Sequence, residues 1–136
     1  MAVNDILVLQ LRTIGASDTA KDGWSVLPPI FNAGSSNAKW LLVGADIIPQ
    51  ITQAASDTNY RTYKVYGKDL TTAQSTRATN VAGGALTAGT NYPQTLTGGS
   101  NAVFLPGDEV RVESGTGGGT EPADETQWVL TFELQR

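Results

Sequence analysis

The side chains able to carry out covalent or acid–base chemistry in this chain are few. It has no histidine and no cysteine. That removes Ser-His-Asp triads, Cys-His pairs, imidazole and thiolate metal sites, and disulfides. Carboxylates, lysines and hydroxyls remain. Two carboxylates can cleave a glycoside when held roughly 5–9.5 Å apart across the scissile bond. Asp108 and Glu109 are adjacent, however, and neighbours on a strand point to opposite faces. Glu121, Asp124 and Glu125 fall in a stretch rich in Gly and Pro, where solvated surface acids are expected. No residue is assigned a catalytic role, and the chain is expected not to be an enzyme.

Metal and phosphate chemistry are as thinly supplied. Asp18 with Asp22, and Asp57 with Asn59, are the acidic spacings that could offer oxygen ligands to calcium. Neither follows an EF-hand pattern, and such side chains in turns commonly bond their own backbone. The run Gly115-Thr116-Gly117-Gly118-Gly119 lacks the Lys-Ser/Thr of a phosphate loop and leads to a strand-like segment. No cofactor is expected. A net charge of −4, with Lys and Arg scattered singly, speaks against nucleic acid, whose phosphates need clustered cations.

Aromatic side chains could serve recognition instead. Trp40 and Trp128 lie in apolar-patterned segments and belong in a core. Trp24 and Tyr66 have polar neighbours, so both are expected at the surface as anchors for a protein partner. A sugar-stacking platform is the alternative use of such rings.

The elements that must position these groups read as strands. Residues 5–12 (DILVLQLR) alternate, with Leu7, Leu9 and Leu11 on a core face. Ile6 and Val8 fall on the opposite face, as candidates to meet a neighbour or a second sheet. Residues 13–23 read as a loop, and 24–31 as a short strand made an edge or a break by Pro28 and Pro29. Residues 38–48 (AKWLLVGADII) are apolar on both faces and should be central, with Trp40, Leu42 and Ile48 opposite Leu41, Val43 and Ile47. Gly44 marks a bulge or a close approach. Further strands are expected at 60–66, near 92–97, at 102–105 and at 108–114, where Val110 and Val112 point inward. Residues 115–125 read as a flexible loop. The last strand, 127–134, places Trp128, Leu130, Phe132 and Leu134 on one face. About seven or eight strands at regular spacing predict one all-β domain over residues 1–136, an antiparallel β-sandwich of jelly-roll type.

The start of the chain has no charged segment leading into a long apolar run, so synthesis in a cytosol without export is expected. The longest mainly apolar stretch, 40–48, is too short to span a bilayer. No membrane partner is expected.

Several segments in order carry a resemblance. They are Trp40-Leu41-Leu42-Val43 running to Ile47-Ile48-Pro49; Asp57-Thr58-Asn59-Tyr60-Arg61-Thr62; and Leu86-Thr87-Ala88-Gly89-Thr90. After them come Leu105-Pro106-Gly107-Asp108-Glu109-Val110-Arg111-Val112 and the strand from Trp128 to Leu134. Across about residues 38–134 the chain resembles the jelly-roll head decoration, or cement, proteins of tailed bacteriophages. Pro-Gly-Asp before alternating valines is common in β-sandwiches, because Gly supplies φ > 0 and Asp bonds back to the turn; the conjunction in order is what carries the likeness. The resemblance implies an oligomer, commonly a homotrimer, on the outer surface of a capsid shell. Its partners would be further copies of itself and the major capsid protein. The location implied is the virion, after synthesis in the host cytoplasm. It transfers no catalytic residues. Ile6, Val8, Trp24 and Tyr66 are the candidate interface residues, and the alternative is a phage tail or fibre module, or a carbohydrate-binding module, that recognises a host surface glycan.

Overall fold

A computed structural model describes residues 5–17, 19–30, 38–120 and 122–135. Among these residues nine strands follow in order: β1 (Ile6–Gly15), β2 (Lys21–Val26), β3 (Lys39–Pro49), β4 (Arg61–Tyr66), β5 (Ala73–Ala78), β6 (Tyr92–Pro93), β7 (Val103–Phe104), β8 (Glu109–Thr116) and β9 (Asp124–Gln135). One short 3-10 turn, Ser100–Ala102, precedes β7. One sheet has the order β1-β9-β3-β6, with β7 also on β3, and the other the order β2-β8-β4-β5. First pairs with last, second with next to last, β3 with β6 and β7, and β4 with β5, all antiparallel. A hairpin rolled up on itself nests its strands this way, which is the jelly-roll form of the β-sandwich.

The two-residue alternation decides which side chains meet between the sheets. On β9, Trp128, Leu130 and Phe132 are fully buried, and on β8 Val110 and Val112 are too, as their spacing predicts. Phe104 meets Phe132 edge to face at 5.6 Å, and Tyr63 tilts against Trp128 at 6.1 Å. Leu7, Leu9 and Leu11 point at this core but are only partly covered, because β1 ends its sheet.

β3 shows why strict alternation exchanges the faces of Ile47 and Ile48. Its register against β9 shifts between Leu42 and Gly44, a bulge that inserts one residue and reverses the phase of the side chains. Trp40 and Leu42 face inward before it, and Ala45 and Ile47 after it. Ile47 is therefore a core residue on the Trp40 face, and Ile48 is the one turned away. The central placement of this strand and the role of Gly44 agree with the sequence.

Several segments differ from expectation, among them the strand read at 24–31, which is Lys21–Val26, and the loop read at 115–125, which β8 enters to Thr116 and β9 from Asp124. The turn between β1 and β2 is shorter than residues 13–23, since β1 runs to Gly15 and β2 begins at Lys21. Thr13 and Gly15 continue the inward face of β1 and are buried. β5 (AQSTRA) escaped notice because it carries no apolar alternation; its Gln74 is buried and exchanges hydrogen bonds with the backbone of Gly98. Residues 92–97 contain only the two-residue β6. The Pro28-Pro29 step does follow an edge strand, β2. At the turn before β8, Gly107 has φ 87°, and the Asp108 carboxylate accepts the Leu105 N–H at 2.7 Å, which is the turn chemistry the sequence predicts.

Candidate interaction surface

β1 and β2 are the end strands of their respective sheets and lie against each other along one rim of the sandwich. The outward faces of these strands carry large apolar side chains. Ile6, Val8, Trp24 and Val26 are 54, 51, 50 and 59% exposed. Ile6, Val8 and Trp24 are thus where the sequence places them, at the surface, with Ile6 and Val8 on the outer face of one sheet and Trp24 on that of the other.

Tyr66 is not at the surface. It is 6% exposed, which corrects its reading as an exposed anchor. Its ring is covered by the Arg111 guanidinium, 4.3 Å from the ring centre, and its hydroxyl donates to Glu113 Oε1 at 3.1 Å. Burial, then the neighbouring Glu113 carboxylate, raise the phenol above its ordinary value. The same guanidinium lies 5.5 Å from the Trp24 ring and pairs with Asp22 at 3.1 Å and Glu113 at 3.0 Å. Tyr66 therefore works through Arg111. It holds the cation that lies against one side of Trp24.

A second polar cluster, at the end of the sandwich near the β1–β2 turn, went unseen in the sequence. Arg61 is fully buried. Its guanidinium donates to the carbonyls of Pro122 at 2.7 Å, Thr19 at 2.9 Å and Ala16 at 2.6 Å. Gly15 makes room for it: a Cβ there would lie 3.2 Å from Arg61 NH1. Beside it the Tyr63 hydroxyl donates to Asp124 Oδ1 at 2.8 Å, and Thr126 Oγ1 donates to the same oxygen at 2.7 Å. Asp124 is 1% exposed, so its reading as a solvated acid is corrected. Burial, then the Asp124 charge, push the Tyr63 phenol far above its ordinary value. The cluster is a clamp on three chain segments. Only its phase could have signalled it, since Arg61 opens β4 on the same inward face as Tyr63 and Val65.

The other acids are accounted for individually. Glu125 pairs with Arg12 at 2.7 Å, and Asp57 accepts the Val81 N–H at 2.9 Å. Asp22 is held by Arg111 rather than by a metal geometry, while Asp18 and Glu121 lie outside the described residues. Among the described residues no group of three or more His, Cys, Asp or Glu could hold a metal ion. No helix among them is long and apolar enough to cross a membrane. The glycine run after β8 is not slack. A Cβ on Gly117 would lie 2.3 Å from the Tyr60 ring, and one on Gly118 2.4 Å from the Thr58 carbonyl oxygen.

No family model, curated protein or solved structure matches this chain.

Proposed function

We propose that this chain is a non-enzymatic structural protein of a virion, a capsid decoration protein that self-associates and binds the outer surface of the major capsid shell. The observation that carries the reading is the exposure of large apolar side chains on the outer faces of both edge strands, Ile6 and Val8 on β1 of one sheet and Trp24 and Val26 on β2 of the other. Large apolar side chains exposed in neighbouring pairs mark an interaction site more readily than scattered single ones do. The jelly-roll nesting and the ordered resemblance of residues 38–134 to decoration proteins supply the kind of partner. A cement protein adds binding energy across subunit boundaries of a finished shell. It therefore needs contact area and rigid anchors, not reactive groups. Trp24, braced by Arg111, is such an anchor.

The test is to add purified protein to capsid shells and measure co-sedimentation, with mass spectrometry of purified particles to find it in the virion. Trp24→Ala should leave the fold intact and weaken shell binding by at least tenfold, as expected of an aromatic hot spot worth about 2 kcal/mol. If the chain is missing from particles and does not bind shells, the reading fails. Specific retention on a glycan array, lost in Trp24→Ala, would replace it with the host-glycan alternative.

A further inference from the structure

We propose that β1 pairs edge to edge with β1 of a second copy of this chain, antiparallel, about a two-fold axis beside Leu9. The phase of the β1 ladder establishes which backbone groups are available. Leu134 N–H donates to the Asp5 carbonyl at 2.9 Å, and Ile6 to Gly15 continue the same register against β9 without a shift. In an antiparallel ladder the residues of one parity direct both N–H and C=O at the partner, and those of the other parity direct both away. Leu7, Leu9 and Leu11 therefore bond β9. Ile6, Val8, Gln10 and Arg12 present their backbone groups to the open side, where no described strand pairs.

Natural edge strands are blunted by proline, bulges, several charges or short length. β1 has none of these: it is ten residues long, has no proline and no register shift, and holds one charged side chain, Arg12. Both of its faces are apolar and incompletely covered. Ile6 and Val8 are exposed on the outer face, and Leu7, Leu9 and Leu11 are only partly buried on the inner one.

The occupant is a second copy because the edge is complementary to itself. With the axis at Leu9, Leu9 faces its counterpart and Leu7 faces the mate's Leu11, so the half-covered leucines extend one another's row. Val8 and Gln10 exchange backbone bonds with the mate's Gln10 and Val8. Arg12 falls opposite the mate's Ile6, whose neighbour across the ladder is Glu133. Each cation then approaches a carboxylate of the other copy, and the two Arg12 residues stand about 20 Å apart at ~3.4 Å per residue. A register centred nearer Arg12 would set like charges against each other. The paired segment is about 24 Å long, and it covers less than the ~1,200 Å² of a standard interface. A reversible dimer is the outcome.

This inference concerns self-pairing and does not depend on capsid binding. An isologous contact closes after two copies, so it gives a two-fold pair in place of the threefold unit that the resemblance implies. Sedimentation of the full chain at tens of micromolar should show a dimer. Val8→Pro removes an N–H that β9 does not use, so it should leave the circular dichroism of the sandwich intact and yield a monomer. If Val8→Pro unfolds, Val8→Lys at this exposed position takes its place and should weaken self-association at least tenfold. Because the chain has no cysteine, Leu9→Cys supplies a single thiol at the axis, and mild oxidation should give a covalent dimer. A wild-type monomer or trimer, or a dimer that survives both Val8 substitutions, overturns the pairing. A Val8→Lys monomer that still binds shells leaves the decoration reading standing, and an intact dimer that ignores shells sinks that reading alone.

Discussion

Trp128 donates its indole N–H to the Thr13 hydroxyl at 2.9 Å, with both residues buried and 115 positions apart in the chain. The bond joins β9, at the centre of its sheet, to the far end of the edge strand β1. It explains why β1 keeps its strand geometry past Arg12, where polar sequence suggests a loop. A buried indole needs an acceptor, and Thr13 reaches it only if the strand continues.

Replacing Trp128 by Ala should cost about 3–5 kcal/mol of unfolding free energy, as for other large core side chains. Thr13→Val keeps the shape, strands the indole N–H, and should cost about 1–3 kcal/mol. Urea denaturation of both variants measures these values. A Thr13→Val change near zero would mean that the bond contributes nothing to holding the end of β1.

Arg61 should not tolerate replacement. Arg61→Lys retains the charge but not the planar fork that reaches three carbonyls. Arg61→Met removes the charge and leaves those carbonyls unsatisfied. We expect both to lose at least about 3 kcal/mol and to raise hydrogen exchange and proteolysis at residues 16–20 and 120–124. Wild-type protection in those segments with either variant would show that the clamp is not needed.

Alkaline pH should destabilise the fold through Tyr63. Its phenol is raised in the folded state above the ordinary value of 10.0. The unfolded chain therefore releases this proton first. The stabilisation is fully present below about pH 10 and is lost as pH rises from there towards the folded value, with a slope of about 1.4 kcal/mol per pH unit for one proton. Tyr63→Phe should reduce that slope by one proton, and it should also lower stability at neutral pH because Asp124 loses a donor. Stability curves between neutral and alkaline pH, recorded for both proteins, test the sign. An unchanged slope in Tyr63→Phe would assign the alkaline loss to another tyrosine.

Gly118→Ala should be costly even though the position lies in a glycine-rich connection. Its new methyl would meet the Thr58 backbone at 2.4 Å, and backbone cannot rotate out of the way. A loss of about 1–3 kcal/mol is expected. Gly89→Ala is the comparison at an open site, where a Cβ meets nothing within 4 Å but φ is 79°; its cost is conformational, about 1 kcal/mol or somewhat more. Equal melting temperatures for wild type and Gly118→Ala would mean that residues 58–60 and 117–119 do not pack as described.

The all-β class, the central position of β3 and the inward faces of β8 and β9 were legible because period-two alternation is local: each strand states its own buried side. So was the absence of histidine and cysteine chemistry. The exposure of Ile6, Val8 and Trp24 followed from the same pattern and from polar neighbours. Tyr66 had neighbours just as polar, but it was buried by Arg111, a residue 45 positions away whose approach local pattern cannot express. The phase of Ile47 hung on a one-residue bulge at Gly44, and β5 is held by Gln74 bonding to Gly98 in place of apolar burial.

What the sequence determined by itself was which segments extend and which of their faces shun water, because those preferences are set by side chains two residues apart. Tertiary structure alone decided that β1 became an edge, which glycines admit a neighbour's backbone, and how Arg61 and Asp124 came to be buried. These depend on the order in which strands are laid side by side, and a buried charge is tolerated only where carbonyls and hydroxyls from distant segments converge on it.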